Sequence, residues 1–354
     1  MSTIKVNRIE NTSTTSGGID IDADGHVQFD GLQLPTAGAL SNRNLVINGA
    51  MQVAQRGTSA STSGFQTIDR FQTGAGGIAL TQSQNVLTSG APYDEGFRYS
   101  YKQEVTTASS SATAVWELQN RLEGQTIAQS GWNYKDQNSF ITWSSWVKSS
   151  LAGTFYCYMF LPDMGASAAR NYRFPVTVAA NTWTKVTKSI PGDPSLVFNN
   201  DNGNGLSLYW VSYFGTDYTG SNADLNTWDA LTSANYLPDF AQNWGNTVGA
   251  TFEVTGVQLE VGSKATQFEH CSYGDDLARC QRYYYEIEAN GSSFIATTAD
   301  GRPRLSMIHP VTMRANPTVT ASGYTLSGRK ESFTGYNDSL TNNTLPAITI
   351  DAEL

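Results

Sequence analysis

The sequence predicts an all-β protein built from antiparallel sheets, and three observations lead to this prediction. Charged residues make up only 15% of the 354 residues, whereas the chain holds 32 glycines and an 11% share of aromatic residues. Long Ala/Leu/Glu/Lys stretches, which would form helices, are nearly absent. Short apolar alternations separated by turn-forming clusters recur along the chain. Many strands without intervening helices predict a two-sheet β-sandwich or jelly roll.

Residues 1–40 differ from the rest and predict an N-terminal β-hairpin arm. Ile19–Ile21 and Val27–Phe29 both alternate apolar with polar residues, and Asp24-Gly25 lies between them. Asp-Gly at this place is a strong hairpin signal, because both turn residues must tolerate positive φ. An isolated hairpin is only marginally stable in water. We therefore expect the arm to pair with the main domain, with sister chains or with a docking partner in an assembly.

Residues 41–275 are predicted to form one long β domain. In its last strand candidate the apolar residues change parity at Gly256, which predicts a β-bulge there. The strand candidates are Phe140–Val147, Phe155–Phe160, Thr182–Ser189, Leu206–Phe214 and Phe252–Val261.

Residues 276–354 predict a small C-terminal β domain. Prolines interrupt this segment at intervals, which limits its strands to short ones. The expected strands are Phe294–Thr298, Leu305–Ile308, Val319–Ala321 and Ala347–Asp351.

Charge and hydropathy argue against several classes of function. The net charge is −9 and no Lys/Arg cluster stands out, so the sequence does not predict binding to nucleic acid. No apolar run is long enough for a membrane helix, and the N-terminus lacks the apolar core of a secretion signal. We therefore expect folding in a reducing cytoplasm. Cys157, Cys271 and Cys280 have no metal or redox spacing and are predicted to be free thiols.

No catalytic residue, metal ligand or cofactor site is predicted. His26, His270 and His309 are the only histidines, and none follows the pattern of a Ser–His–acid triad. P-loop, dinucleotide and zinc patterns are missing from the sequence. Asp20-x-Asp22-x-Asp24-Gly25 copies the start of an EF-hand loop. The twelfth position is Gly31 rather than Glu, which favours a plain acidic hairpin.

Aromatic residues in polar, turn-rich stretches are the candidates for contact with sugars. A sugar ring has an apolar C–H face on which an aromatic ring stacks, and a rim of hydroxyls that Asn, Asp and Gln bind. The alternative is that such a ring fills a satellite cluster or a contact between subunits. Trp143, Trp146, Trp183 and Trp210 lie within strand patterns and are predicted to be core residues. The glycan-binding candidates are Trp132, Tyr134, Tyr218, Trp228 and Trp244.

Three motifs in order along the chain resemble a domain common in bacteriophage tail-fibre and virion structural proteins. Asn44–Gly57 resembles its opening segment, Trp146–Ser149 its central strand and Val254–Gly262 its closing strand. The ending Asp351–Leu354 is similar to the C-termini of phage fibres. The resemblance implies a jelly roll like that of carbohydrate-binding modules, within a fibre that is commonly trimeric.

The same opening and closing motifs resemble bacterial carbohydrate-binding modules, which often hold a structural calcium ion. At the place of a ligating carboxylate this chain has Gln52, and near the closing motif it has Thr255-Gly256 where Asp is common. Without carboxylates a hard dication gains too little to offset its dehydration. No calcium ion is therefore expected.

These observations leave three hypotheses for the function. The first is a non-enzymatic tail-fibre or spike subunit of a phage virion that attaches to polysaccharide on the host cell. The second is a purely structural virion protein, such as a collar, connector or capsid decoration. The third is a polysaccharide depolymerase. We expect a homotrimer, assembled in the host bacterial cytoplasm, whose N-terminal arm contacts other virion tail proteins.

Overall fold

The computed structural model describes residues 6, 8–9, 18–23, 25–29, 32–77, 79–165, 169–220, 223–230, 236–289, 296–297, 303–337 and 346–354. Antiparallel strands dominate these residues, which confirms the predicted all-β fold class. Asp24, Gly31 and Phe294, which entered the sequence predictions, lie outside them. No helix in the described part of the chain is long and apolar enough to cross a membrane.

The N-terminal arm is a four-stranded antiparallel sheet, which includes the predicted hairpin. Its strands are β1 (Arg8–Ile9), β2 (Ile19–Ile21), β3 (Val27–Phe29) and β4 (Leu32–Gln33), in that order. The register places the apolar residues Ile9, Ile19, Phe29 and Leu32 in one row across the sheet. One face of the arm is therefore apolar, and three of these four side chains are exposed.

Two six-stranded antiparallel sheets form the central sandwich, as the sequence predicts. Their strands are β5 (Ser59–Ala60), β6 (Phe71–Gly76), β7 (Ala79–Val86), β8 (Tyr99–Thr107), β9 (Val115–Glu123), β10 (Phe140–Ser149), β11 (Gly153–Leu161), β12 (Arg170–Val178), β13 (Thr184–Pro191), β14 (Asn204–Phe214), β15 (Trp228–Ala230) and β16 (Thr251–Val261). The strand orders of the two sheets are β13-β10-β16-β8-β7-β5 and β15-β12-β11-β14-β9-β6. The short helices α1 (Ala91–Asp94) and α2 (Gly124–Ala128) connect strands.

The main core lies between the two sheets. Alternate residues of each strand point into it, as the period of two in a strand requires. Trp143 and Trp210 are buried there and meet edge to face, with ring centroids 4.7 Å apart. Cys157 and Cys280 are buried free thiols and Cys271 is a partly buried one, as predicted.

The opening and closing motifs of the sequence lie against each other. Leu45 donates its backbone N–H to the carbonyl oxygen of Leu259, and the Asn44 side chain accepts from Leu259 N at 3.1 Å. A Cβ atom at Gly49 would overlap the carbonyl oxygen of Val257, so this position requires glycine. The predicted bulge is confirmed, because the pairing of β10 with β16 slips by one residue beside Gly256, whose φ is 62°.

The last part of the chain forms two further sheets and one helix. Helix α3 (Tyr273–Gln281) was not predicted, although Ser272 caps it by accepting from Asp275 N at 3.1 Å. The strands of the two sheets are β17 (Tyr284–Ile287), β18 (Ala296–Thr297), β19 (Pro303–Ile308), β20 (Thr318–Ala321), β21 (Tyr324–Gly328), β22 (Ser332–Asn337) and β23 (Ile348–Asp351). Their orders are β17-β23-β20 in one sheet and β18-β19-β22-β21 in the other.

These last sheets enclose a second, smaller core. It includes Leu305, Met313, Phe333, Ile348 and Ile350, none of which belongs to the core of the sandwich. The predicted division into an arm (residues 1–40), a central domain (41–275) and a C-terminal domain (276–354) stays a prediction. Helix α3 spans the second of these boundaries.

Candidate functional site: a tyrosine cleft on the outer face of one sheet

Strands β11 and β14 carry large apolar or aromatic side chains on both faces. In β11, Cys157 and Met159 point into the sandwich core, whereas Tyr156, Tyr158 and Phe160 point outwards. A strand that carries large side chains on both faces is covered on both faces. Here residues 215–220 and 236–240 contribute to the cover, because Tyr218, Leu237 and Phe240 pack on the outer side chains.

Residues on the outer face line up across neighbouring strands because the register is antiparallel and unbroken there. Two such rows cross the sheet side by side. The first row is Gln72, Gln119, Tyr209, Tyr158 and Arg173. The second row is Arg121, Ser207, Phe160, Asn171 and Asp229.

A cavity of about 260 Å³ opens on this face. We call it the tyrosine cleft. Phe160, Tyr218 and Tyr236 are half-buried and leave part of their rings accessible, whereas Tyr158 and Tyr209 are buried and stack on each other at 4.2 Å. The cleft is lined by Val115, Glu117, Tyr158, Phe160, Tyr209, Phe214, Tyr218 and Tyr236.

In the part of the chain that the structure describes, Glu117 is the one carboxylate that lines the tyrosine cleft. Its Oε1 accepts from Gln119 Nε2 and its Oε2 accepts from the Tyr158 hydroxyl at 3.2 Å. Burial raises the pKa of Glu117 from 4.5 to about 7, although these hydrogen bonds and the charge of Arg121 act in the opposite direction. Around neutral pH the cleft therefore holds a carboxyl group that can either donate or accept a hydrogen bond.

Two of the five predicted glycan-binding residues are buried in the structure. Trp132 is 3% exposed and Trp244 is 0% exposed. Trp244 lies edge to face against Trp116 at 4.7 Å, and its Nε1 donates to Thr251 O at 3.0 Å. Trp132 packs into the same core. Neither ring has a free face for a sugar, because each fills an end of the core rather than projecting from its loop.

The other three predicted residues are half-buried, and they lie in different places. Tyr218 lines the tyrosine cleft. Trp228 lies in a groove of about 380 Å³ at the sandwich edge, where its Nε1 donates to Pro191 O at 2.7 Å. Tyr134 packs on Phe198 with ring centroids 4.9 Å apart. The structure therefore does not join the predicted residues into one site.

Most residues of the tyrosine cleft were missed by the sequence analysis. Tyr158, Phe160 and Tyr209 lie within strands, whereas the sequence analysis sought glycan-binding residues among aromatic residues in polar, turn-rich stretches. The signal that could have found them is the two-sided apolar pattern of Phe155–Leu161, which indicates a second covered surface. Glu117 could be singled out only from its burial in the fold.

None of the predicted residues assembles a metal site within the described residues, where no group of three His, Cys, Asp or Glu side chains converges. Gln52, at the place of the calcium ligand in the resembling modules, donates from Nε2 to Asp276 Oδ2 at 2.7 Å. His309 is buried and bonded on both ring nitrogens, to the Tyr285 hydroxyl and to Arg329 O. It is therefore a hydrogen-bonded core residue.

Fold and site together define the chain as a two-sheet antiparallel β-sandwich protein with an aromatic cleft on an outer sheet face. No protein-family model matches the chain. No curated protein matches it either.

Solved structures give distant similarities over about three fifths of the chain. One is the enzymatically active domain of tailspike protein 4 from bacteriophage CBA120, with 13% identity, a TM-score of 0.33 and coverage of 62% of this chain. This chain spans only 21% of that tailspike chain. Another is a family 11 carbohydrate-binding module from Clostridium thermocellum in complex with a β-1,3-1,4-mixed-linked tetrasaccharide. It has 12% identity, a TM-score of 0.28 and coverage of 60% of this chain and 98% of that chain.

Proposed function

We propose that the chain is a non-enzymatic subunit of a phage tail fibre or spike that binds host-surface polysaccharide through the tyrosine cleft. The observation that carries this proposal is the composition of the cleft. Half-exposed rings of Phe160, Tyr218 and Tyr236 offer stacking surfaces, and Glu117 offers a polar group between them. This combination matches the apolar face and hydroxyl rim of a sugar ring. The resemblance of the sequence motifs to phage fibre proteins supports the virion location.

The cleft also favours binding over cleavage. Glycoside hydrolysis by the common mechanisms uses two carboxyl groups on either side of the bond. Among the described residues that line the cleft, Glu117 is the single carboxylate. A depolymerase would release reducing ends from host polysaccharide, and we expect no such release.

Binding to a glycan array tests the attachment function directly. We expect the purified chain to bind host-surface oligosaccharides, and we expect Phe160→Ala and Tyr236→Ala each to weaken binding about tenfold, which is ~1.4 kcal/mol. Each variant removes one stacking ring from the cleft.

Tyr273→Ala is the matched control, because Tyr273 is exposed on helix α3 and far along the chain from the cleft residues. Its binding should equal that of the unchanged chain, and all variants should keep their melting temperature within a few degrees. Binding that survives both cleft substitutions would exclude the tyrosine cleft as the site. Failure to bind any glycan would favour the purely structural virion role.

We also propose that the N-terminal arm joins three copies of the chain and contacts other virion tail proteins. Three residues of the apolar row, Ile9, Phe29 and Leu32, are exposed, and Ile19 completes the row. The opposite face carries the row Arg8, Asp20, Gln28 and Gln33. A sheet of such short strands needs a covered apolar face to be stable. Because every copy carries the same apolar face, another copy of the chain can cover it.

Sedimentation of the full chain tests this assembly. We expect a trimer for the unchanged chain and dissociation for Phe29→Asp, which puts a charge on the apolar face. Gln28→Asp puts the same charge on the polar face and should stay trimeric. A monomer for the unchanged chain would contradict the proposed assembly.

A further inference from the structure

Strand β12 places two buried polar residues directly beside the tyrosine cleft. Arg173 is the register partner of Tyr158, and Asn171 is the register partner of Phe160. Both partners line the cleft. Paired residues on neighbouring antiparallel strands have Cα atoms about 5 Å apart. Arg173 and Asn171 therefore stand on the same outer face, one strand away from the cleft wall.

Arg173 uses only part of its guanidinium. It is 1% exposed, its Nη1 donates to Asp224 O at 3.2 Å, and the same atom lies 3.5 Å from Asp229 Oδ2. Its Nε and Nη2 have no hydrogen-bond partner. These two nitrogens form one edge of the guanidinium, and that edge can bind a carboxylate through two parallel hydrogen bonds.

Asn171 adds two further unused polar atoms. The residue is 0% exposed, and neither its Oδ1 nor its Nδ2 has a partner. A buried polar group without a partner destabilises the fold, because it has lost its hydrogen bonds to water. Four such atoms belong to two residues on the same face of β12, so a bound group that pairs with them would replace the lost hydrogen bonds.

Arg173 forms an ion pair through one nitrogen, and the edge formed by Nε and Nη2 stays unpaired. Within the described part of the chain, Asp229 is the carboxylate that pairs with Arg173, through Oδ2, while its Oδ1 accepts from the backbone N–H of Ala230 at 2.7 Å. Burial lowers the pKa of Arg173 in spite of the nearby Asp229 and Asp224. Desolvation of the guanidinium therefore outweighs the attraction of these two aspartates.

We propose that Arg173 and Asn171 extend the tyrosine cleft into a subsite for a carboxylate-bearing sugar, such as a uronic acid residue of an acidic polysaccharide. The sugar carboxylate pairs with Nε and Nη2 of Arg173, and an adjacent sugar hydroxyl pairs with the amide of Asn171. The neighbouring sugar ring then lies in the cleft against Phe160. This inference rests on the proposed glycan-binding function and names the substrate class.

Titration with oligogalacturonate and with its methyl ester tests the inference, since the ester keeps the sugar rings and removes the charge. We expect the full chain to bind the acid at least tenfold more tightly than the ester. Arg173→Gln should abolish this difference, because binding of the acid should fall to the level of the ester. Arg173→Lys, which keeps the charge and loses the paired nitrogens, should retain only part of the preference for the acid over the ester.

Lys135→Gln is the control, because it removes one positive charge from an exposed loop residue and should keep the preference for the acid. Asn171→Leu, which removes the amide at similar volume, should weaken binding of both ligands without lowering the melting temperature. Equal binding of acid and ester by the unchanged chain would overturn the subsite and leave the glycan-binding proposal standing. If neither these ligands nor any arrayed glycan bound, the proposed function itself would fail.

Discussion

Replacing Glu353 with Ala is expected to lower the free energy of unfolding by about 3–5 kcal/mol, because it leaves a buried guanidinium without its carboxylate. Arg70 is 2% exposed and pairs with Glu353 across 283 positions of the sequence. The same carboxylate lies 3.4 Å from Arg56 Nη1. Arg314 holds the backbone of Glu353 through Nη2 at 3.0 Å. Glu353 therefore links the last sheets to the sandwich.

Urea unfolding at constant protein concentration measures this effect. Glu331→Ala makes the same change at an exposed residue and should alter the free energy of unfolding by less than about 0.5 kcal/mol. The double variant Arg70→Met, Glu353→Ala should lose less than the two single variants together, because it removes both charges. A Glu353→Ala chain as stable as the unchanged chain would show that the pair does not hold these regions together.

Replacing Glu117 with Gln is expected to raise the free energy of unfolding at pH 8 by up to roughly 3 kcal/mol. The pKa of Glu117 rises from 4.5 to about 7 on burial, so the folded chain binds this proton more tightly than the unfolded chain. The contribution to stability is present at low pH and is lost as the pH rises from 4.5 through 7. Gln keeps the shape of the side chain and carries no charge, so the variant loses this dependence.

The comparison of pH 5 with pH 8 separates this effect from general stabilisation. Near pH 5 the two chains should have nearly equal free energies of unfolding. Burial also raises the pKa of Asp69, to about 6. Asp69 is present in both chains, so it makes the same contribution to the change of the free energy of unfolding with pH in each. Glu104→Gln, at a partly exposed residue paired with Lys102, is the control and should not raise the free energy of unfolding at pH 8. A Glu117→Gln chain that is less stable at pH 8 would contradict the inferred cost of ionised Glu117.

The local features of the fold followed from sequence because their causes are local. Alternation predicted the strands β10, β11, β13, β14 and β16, and the parity change at Gly256 predicted the bulge. Helix α3 was missed because it is only nine residues long and follows a long β region. Its Ser272 cap with Asp275 three positions on was the available signal.

The site was less predictable because it depends on contacts between residues far apart in the chain. Trp132 and Trp244 look like exposed loop residues in the sequence, yet each fills the core from its loop. Conversely, Tyr158 and Tyr209 look in the sequence like residues of the sandwich core. They are buried on the outer face of the sheet instead, where they line the cleft. Which face of a strand a ring occupies depends on register with its neighbours, and a single strand does not contain that information.

A crystal structure of the chain with an oligosaccharide selected on the array tests the central claim most directly. We predict that a sugar ring lies in the tyrosine cleft, in contact with Phe160, Tyr218 or Tyr236 and within hydrogen-bond distance of Glu117. A sugar bound in the edge groove beside Trp228, with the tyrosine cleft empty, would contradict the claim.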